Sequence, residues 1–111
     1  MIKSVDSERI RRCVNAYAKD LLASHPEVEE VIVFGSFAKG TYAPGSDVDI
    51  FLLLSRSNEK RVRDRIPRYL PGAFPVGLDL FPVTREEIEA VGRSPWLREI
   101  QKSSWRFKRS G

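Results

Sequence analysis

The sequence has almost no cysteine or histidine: Cys13 and His25 are the single residues of each type. One cysteine can neither close an intrachain disulfide nor form a thiolate zinc site, and such cysteine usage is typical of a reducing compartment. No Ser/His/Asp or Cys/His catalytic set can be assembled from these two residues. Disulfide scaffolds and hydrolases of those types are therefore excluded.

Long hydrophobic runs are also missing. The longest, 50–54, is far shorter than the roughly 20 residues that a membrane-spanning helix needs. The first residues contain no apolar segment of the kind found in secretory signals. We therefore expect a cytoplasmic protein without membrane association.

The sequence does have the composition of a globular domain. Its 111 residues are enough for one ordinary core, so we expect a single domain over 1–111. With 41% hydrophobic and 31% charged residues, the chain is not of the disordered class. Its net charge of +4 is compatible with an anionic ligand.

Helical spacing of apolar residues and short β-branched runs alternate along the chain. The predicted strands are 31–34, 47–54 and 76–83. The predicted helices are 5–24, 36–40, 58–66, 84 to about 91, and 94 to about 105. This order predicts an α/β fold around a small sheet of at least three strands.

Several residues mark the expected helix boundaries. Asp6 or Ser7 is expected to cap the first helix, and Thr84 with Glu87 forms the pattern of a capping box before the fourth. Pro67 removes a backbone donor and disfavours helical geometry at the residue before it, so the third helix should end or kink there.

A glycine and a serine directly follow the first predicted strand. Gly35 allows a phosphate to approach the backbone, and Ser36 adds a hydroxyl beside the N–H groups of a helical turn. Gly40 is expected to end that turn. Because Gly-Ser pairs also occur at ordinary turns, this feature indicates an anion site only together with others.

Three aspartates lie in the second and third predicted strands. Asp47 and Asp49 are two residues apart, so their carboxylates point to one face of the sheet, and Asp79 stands among apolar residues. Buried carboxylates are costly unless a cation meets them, and carboxylates beside phosphates suit Mg²⁺. Asp47 alone would also fit a solvated turn after 44–46, whereas Asp49, followed by five apolar residues, fits it badly. The cluster predicts divalent cations and displacement at phosphorus, with Asp79 as candidate general base.

These glycine, serine and aspartate residues stand in an order that is also found in a known family. The residues that carry the likeness are Gly35, Ser36, Gly40, Ser46, Asp47, Asp49 and Asp79. In this order they resemble the nucleotidyltransferase superfamily of the DNA polymerase beta type, and the small size resembles its minimal nucleotidyltransferase branch. The resemblance covers about 31–83 and implies a small mixed β-sheet of about three or more strands flanked by helices.

The resemblance also implies a role for each of these residues. Asp47, Asp49 and Asp79 would be the catalytic residues and would bind two Mg²⁺ ions. The implied nucleotide-binding residues are Gly35, Ser36, Lys39, Gly40 and Ser46. The implied reaction transfers a nucleoside monophosphate, typically AMP from ATP, to an acceptor hydroxyl with release of pyrophosphate.

Two positions depart from the family pattern. Many relatives carry arginine directly after Gly-Ser and again two residues later, where this chain has Phe37 and Lys39. Lys39 can supply one positive charge, without the forked geometry of arginine. Phe37 cannot supply any, so part of the expected phosphate grip is missing.

The resemblance further implies a protein partner. Small members of this branch pair with a HEPN-domain toxin, a helical RNase, and act as its antitoxin by adding AMP to a toxin tyrosine. The chain length leaves no room for an acceptor domain, so we expect the acceptor to come from another chain in a hetero-oligomer, or to bind across a homodimer. Two alternatives stay open: transfer to a small-molecule hydroxyl such as that of an antibiotic, and neutralisation by binding alone. Nucleic acid is not expected as a direct substrate.

The C-terminal segment is rich in basic residues. They are Arg93, Arg98, Lys102, Arg106, Lys108 and Arg109, against the single acid Glu99. Such a segment is either a docking surface for an acidic partner or nucleic acid, or a solvated helix face and tail, and we favour the second interpretation. Trp96 and Trp105 are expected on one final helix, where a separation of nine residues prevents them from sharing a face.

Overall fold

The computed structural model of the protein describes residues 2–41, 43, 45–92 and 94–109, with side chains from residue 7 onward. Residue 44 of the predicted turn and Arg93 lie outside these ranges. The helices are α1 (Ile2–Ser24), α2 (Gly35–Lys39), α3 (Val62–Tyr69), α4 (Arg85–Val91) and α5 (Pro95–Lys102). The strands are β1 (Val28–Phe34), β2 (Val48–Leu54), β3 (Leu78–Thr84) and β4 (Arg106–Lys108). None of the helices in the described ranges is long and apolar enough to cross a membrane.

Four strands form one mixed sheet in the order β3-β2-β1-β4. β1 pairs antiparallel with both β2 and β4, whereas β2 pairs parallel with β3. The parallel pairing needs a crossover connection, which α3 and its flanking loops provide. The predicted α/β architecture with a small mixed sheet flanked by helices is confirmed.

The central strands β1 and β2 are almost entirely buried, as their continuous apolar runs predicted. One face of the sheet packs against α1 through Val14, Tyr17 and Leu21. The other face packs against α5 through Leu97 and Ile100. The sheet is therefore held between two layers, and this packed core fixes the positions of the residues at the strand ends.

Two predicted boundaries at the start of the chain are wrong. The first helix begins at Ile2, because no proline or glycine interrupts residues 2–24, so positions 6 and 7 lie within the helix and not at its start. The first strand begins at Val28, three residues before the predicted start, because Val28 already pairs with β2. The strands predicted to begin at 47 and 76 begin at 48 and 78.

The capping box that the sequence predicted before the fourth helix is confirmed. The Thr84 hydroxyl accepts a hydrogen bond from the Glu87 N–H at 3.2 Å, and the Glu87 carboxylate accepts one from the Thr84 N–H at 2.9 Å. The pair satisfies two backbone donors that the helix cannot satisfy internally. It also fixes the point at which β3 ends and α4 begins.

The third helix was predicted wrongly at both ends. α3 begins at 62 rather than 58 and continues through Pro67 to Tyr69. Proline removes one donor and crowds the preceding turn, but contacts from other elements hold the second half of this helix. The Tyr17 hydroxyl donates to the Tyr69 carbonyl at 2.6 Å, and the Tyr69 hydroxyl donates to the Glu27 carboxylate at 2.8 Å. Tertiary contacts therefore hold the helix beyond Pro67, while the predicted kink at this residue stays a prediction.

The last predicted helix is also wrong in length. α5 ends at Lys102, and the chain then forms β4, which the sequence did not indicate. The Ser103 hydroxyl donates to the Val33 carbonyl, and the Val33 N–H donates to the Trp105 carbonyl at 2.9 Å. The edge of β1 that β2 does not use thus pairs with the chain after α5, so Trp96 and Trp105 do not share a helix.

Candidate active site

The turn from β1 into α2 depends on Gly35. Its φ of +79° lies in the left-handed region, which residues with a side chain rarely adopt. A Cβ atom at this position would also collide with Oδ2 of Asp49 on the neighbouring strand. Glycine is required at position 35 for both reasons, and its backbone lies directly against the Asp49 carboxylate.

The register of the sheet brings the three predicted aspartates to one region. Asp49 on β2 lies opposite Asp79 on the parallel strand β3. Asp47 directly precedes β2, and a Cβ atom on Gly77 would collide with its Oδ1. The Val48 N–H donates to the Gly77 carbonyl at 3.0 Å, which ties the two strand starts together. The sequence placed the three acids on strands, but only this pairing makes them neighbours.

The surroundings of Asp49 disfavour the ionised form of its carboxyl group. It is half-buried, and burial is the main cause that raises its pKa above the ordinary range. The negative charges of Asp79, Glu99 and Asp47 raise that pKa further, in this order. Three neighbouring carboxylates therefore disfavour the negative charge of Asp49, and a bound cation would relieve this repulsion.

The donor set of this region suits a divalent cation such as Mg²⁺. Mg²⁺ takes oxygen ligands and needs only one or two carboxylates when phosphates and waters complete its shell. Asp49 and Asp79 are a directly opposed pair, and Asp47 directly precedes β2, two residues before Asp49. Within the described residues, no group of three or more His, Cys, Asp or Glu side chains is arranged to hold a metal by itself. The fit therefore rests on the opposed carboxylates and their mutual repulsion.

Among the predicted nucleotide-binding residues, Gly35, Ser36 and Lys39 lie in α2, Gly40 directly follows it, and Ser46 directly precedes Asp47. Ser36 is half-buried in its first turn, and the Thr41 N–H donates to the Ser36 carbonyl at 3.0 Å. Gly40 has a φ of +81° and ends the helix, as predicted. Ser46 is half-buried next to Asp47, and its N–H donates to the Ala43 carbonyl at 3.0 Å. Residues 35–40 thus form one short helical turn that begins beside Asp49.

Lys39 forms an ion pair with Glu99, a residue of α5 that the sequence did not single out. Lys39 Nζ and Glu99 Oε2 are 3.2 Å apart, with the two side chains 61% and 37% exposed. An ion pair this exposed contributes little stability. Its position matters more, because it sets Glu99 close enough to raise the pKa of Asp49. Glu99 and Asp49 are far apart in the sequence, so no local pattern could have linked them.

Phe37 explains why the chain departs from the arginine-rich family pattern. Its side chain is only 5% exposed and belongs to the core beneath the sheet. Its ring centroid lies 5.7 Å from that of Trp105. An arginine here would bury a charge in this apolar contact, so position 37 serves packing and not phosphate binding.

Gly77 is the second site residue that sequence reasoning missed. A signal for it did exist, because a glycine inside an apolar strand pattern often marks a close approach of other atoms. In this structure the approaching atom is Oδ1 of Asp47.

Comparison with known proteins gives a consistent family and fold. A family model described as a nucleotidyltransferase domain matches residues 14–107. A bifunctional uridylyltransferase/uridylyl-removing enzyme from Burkholderia thailandensis is 33% identical over 55 residues, which are 50% of this chain and 6% of that protein. Its counterpart from Ralstonia nicotianae is 28% identical over 69 residues, or 62% and 8% of the two chains. The chain thus spans only a small part of the length of these relatives.

A solved structure supports the fold across nearly the whole chain. It belongs to a Sulfolobus solfataricus protein described as a candidate nucleotidyltransferase, with a TM-score of 0.58 and 23% identity. The match covers 92% of this chain and 80% of that one. The α/β layers and the mixed sheet are therefore shared with that protein.

Proposed function

The chain belongs to the nucleotidyltransferase domain family, and we propose that it transfers AMP from ATP to a hydroxyl group of a partner protein in a Mg²⁺-dependent reaction. The observation that supports this most is the strand register, which sets Asp49 opposite Asp79 with Asp47 beside them. An uncompensated carboxylate cluster next to a glycine turn suits a metal-bound nucleoside triphosphate.

In the proposed reaction the three aspartates, Asp47, Asp49 and Asp79, would hold Mg²⁺, which when bound neutralises phosphate charge. The acceptor oxygen attacks the α-phosphorus, the bond to the β-phosphate oxygen breaks, and pyrophosphate leaves. The acceptor proton passes to a carboxylate oxygen of Asp79. Gly35 has no side chain, and this leaves room for the Asp49 carboxylate against the turn.

The exposure of Asp79 supports a macromolecular acceptor. Its side chain is exposed on β3, an edge strand of the sheet, whereas Asp49 is half-buried. A hydroxyl on a large partner can reach such an edge without entering an enclosed pocket. In line with the resemblance to minimal nucleotidyltransferases, we propose a HEPN-domain toxin as the partner and one of its tyrosines as the acceptor, with this chain as antitoxin.

A second candidate nucleotide is UTP. The curated relatives are named as uridylyltransferases, and they match half or more of this chain. Transfer of UMP would use the same three carboxylates, since the base does not take part in the bond exchange.

Labelling distinguishes these possibilities. The protein is incubated with Mg²⁺, α-labelled ATP or UTP, and the product of the adjacent reading frame. We expect label from ATP on a tyrosine of that product. Stronger labelling from UTP than from ATP would show that UTP is the donor nucleotide. Absence of label from every macromolecule would refute a protein acceptor, and label on an added antibiotic would support a small-molecule acceptor.

Substitution of the metal-binding carboxylates tests whether catalysis matters for neutralisation. The double variant Asp47→Asn with Asp49→Asn is expected to form the complex but to lose labelling and neutralisation of the toxin. Asp20→Asn, which removes an exposed carboxylate from α1, is the control and should behave as wild type. Neutralisation that survives the double substitution would show that the chain acts by binding alone.

A further inference from the structure

A cavity of about 570 Å³ lies between α2 and α5 and adjoins Gly35. Its volume falls within the range of about 300–1,000 Å³ that holds small ligands. Phe34 and Trp105 contribute apolar wall. Its charged lining residues are Lys39, Arg98, Glu99 and Lys102. Three positive charges against one negative charge favour an anionic ligand.

α2 by itself supplies little positive charge at this place. It has five residues, so few peptide dipoles are aligned along it. Phe37 is packed against Trp105 and carries no charge. Lys39, the cationic residue of α2, is paired with Glu99. Additional positive charge for an anion beside Gly35 has to come from α5.

Arg98 and Lys102 are placed to supply that charge. They are four residues apart, which puts them on one face of α5, and both exposed side chains line the cavity. Within the described residues, neither side chain has an ion-pair partner. Arg106, a little further along the chain, differs because Glu30 holds it at 3.0 Å.

Glu99 stands between these cations and occupies Lys39 as an anionic ligand would. Its carboxylate lies 3.2 Å from Lys39 Nζ. An incoming anion would meet both the attraction of the cations and the repulsion of Glu99. A ligand with several negative charges can displace the single carboxylate.

We propose that the cavity between α2 and α5 is a triphosphate subsite, in which Arg98, Lys102 and Lys39 bind the phosphate tail of the nucleotide and Glu99 competes with that tail for Lys39. This inference rests on the proposed function, because the tail becomes the pyrophosphate that leaves. The cation that the family pattern expects at position 37 is thus supplied by a helix 60 residues later in the chain.

Calorimetric binding of inorganic tripolyphosphate, AMP and α,β-methylene-ATP tests the subsite, in Mg²⁺ and again in EDTA. Arg98→Ala with Lys102→Ala should weaken tripolyphosphate and α,β-methylene-ATP by about tenfold or more, because charge-assisted hydrogen bonds are lost. AMP binding should change little. Glu99→Gln should tighten tripolyphosphate by about threefold, the scale of an exposed ion pair. Arg63→Ala, which removes an exposed arginine of α3 that does not line the cavity, is the control.

Opposite effects of neighbouring substitutions on one helix cannot arise from a general folding defect. The proposed subsite would be refuted if the double variant and Arg63→Ala bound tripolyphosphate with equal affinity. It would also be refuted if Glu99→Gln bound tripolyphosphate more weakly than wild type. Label transfer that persists in those cases would leave the proposed function intact. The expected affinity pattern without label transfer from any nucleotide would keep the subsite and refute the proposed function.

Discussion

Two glycines decide where the carboxylates of the site can lie. Gly35 and Gly77 each leave a space that an aspartate oxygen fills, from Asp49 and Asp47 respectively. The two positions differ in one respect, because Gly35 has a positive φ and Gly77 does not. Substitution of each glycine therefore separates the effect of space from the effect of backbone strain.

Gly35→Ala is expected to lower nucleotidyl transfer by 100-fold or more, on the order expected for a misplaced catalytic group. The new Cβ would displace Asp49, and the positive φ would cost about 1–2 kcal/mol of stability. Gly92→Ala is the matched control, since Gly92 has a φ of +73° and nothing within 4 Å of an added Cβ. It should lose similar stability in urea denaturation and keep its activity. Equal activity of the two variants would contradict the assigned role of Gly35.

Gly77→Ala is expected to reduce transfer, and to raise the Mg²⁺ concentration needed for half-maximal rate, because the added Cβ would displace Asp47. Gly72→Ala is the control, as an added Cβ there meets nothing within 4 Å and neither glycine has a positive φ. Magnesium titration of the initial rate would distinguish the variants. If the magnesium dependence of the rate is unchanged in Gly77→Ala, the assignment of Asp47 as a metal ligand is wrong.

At the scale of elements, an Arg65–Glu87 pair joins α3, β3 and α4. The Arg65 guanidinium, only 3% exposed, donates to the Glu87 carboxylate at 2.7 and 2.8 Å and to the Pro82 carbonyl at 2.9 Å. These hydrogen bonds lower the pKa of Glu87 to about 2. The pair holds the strand that carries Asp79 between two helices.

Glu87→Gln should lower the free energy of unfolding at pH 7 by about 1–2 kcal/mol, since a buried arginine loses its charged partner while Glu87 is partly screened by solvent. Because the folded pKa of Glu87 lies below its unfolded value, its stabilisation is complete above about pH 4.5 and is lost as the pH falls towards 2. In denaturation at pH 7, 4 and 2.5, the difference in free energy of unfolding between the variant and wild type should become smaller as the pH falls. Glu86→Gln, an exposed neighbour, should show no such trend.

Local patterns predicted the elements whose boundaries depend on local chemistry. The Thr84–Glu87 capping box and the αL glycine at position 40 were both legible in the sequence, because each is satisfied within four residues. The end of α3 and the whole of β4 were not, because β4 exists only where it pairs with β1 and Tyr69 is held by Tyr17. Hydrogen bonds to residues that are distant in the sequence produce no local sequence pattern from which these elements could be predicted.

At the scale of the whole molecule, the fold gathers negative charge at one edge of the sheet of a basic protein. The pKa of Asp49 is raised there by burial and by the negative charges of Asp79, Glu99 and Asp47. Sites of this kind are held in place by the surrounding core at a cost in stability. That cost should be measurable.

Asp49→Asn is expected to raise the free energy of unfolding by about 1 kcal/mol in EDTA, because it removes a half-buried charge from repulsion by its neighbours. Saturating Mg²⁺ should stabilise wild type and not the variant, so the difference should shrink or reverse. Asp20→Asn should show neither effect in the same thermal or urea denaturation. Destabilisation of Asp49→Asn in EDTA would instead mean that the carboxylate has a stabilising partner.

The sequence alone determined the α/β class and the glycine turn, and it singled out the three aspartates as candidate site residues. Apolar patterning and the energetic cost of a carboxylate among apolar residues can both be recognised locally in the chain. It also indicated the family through the spacing of those residues. Only the tertiary structure decided that Asp49 faces Asp79, that Gly77 makes room for Asp47, and that Glu99 reaches the site. Those facts depend on strand register and on the packing of α5 against the sheet, which arise from contacts between residues distant in the chain.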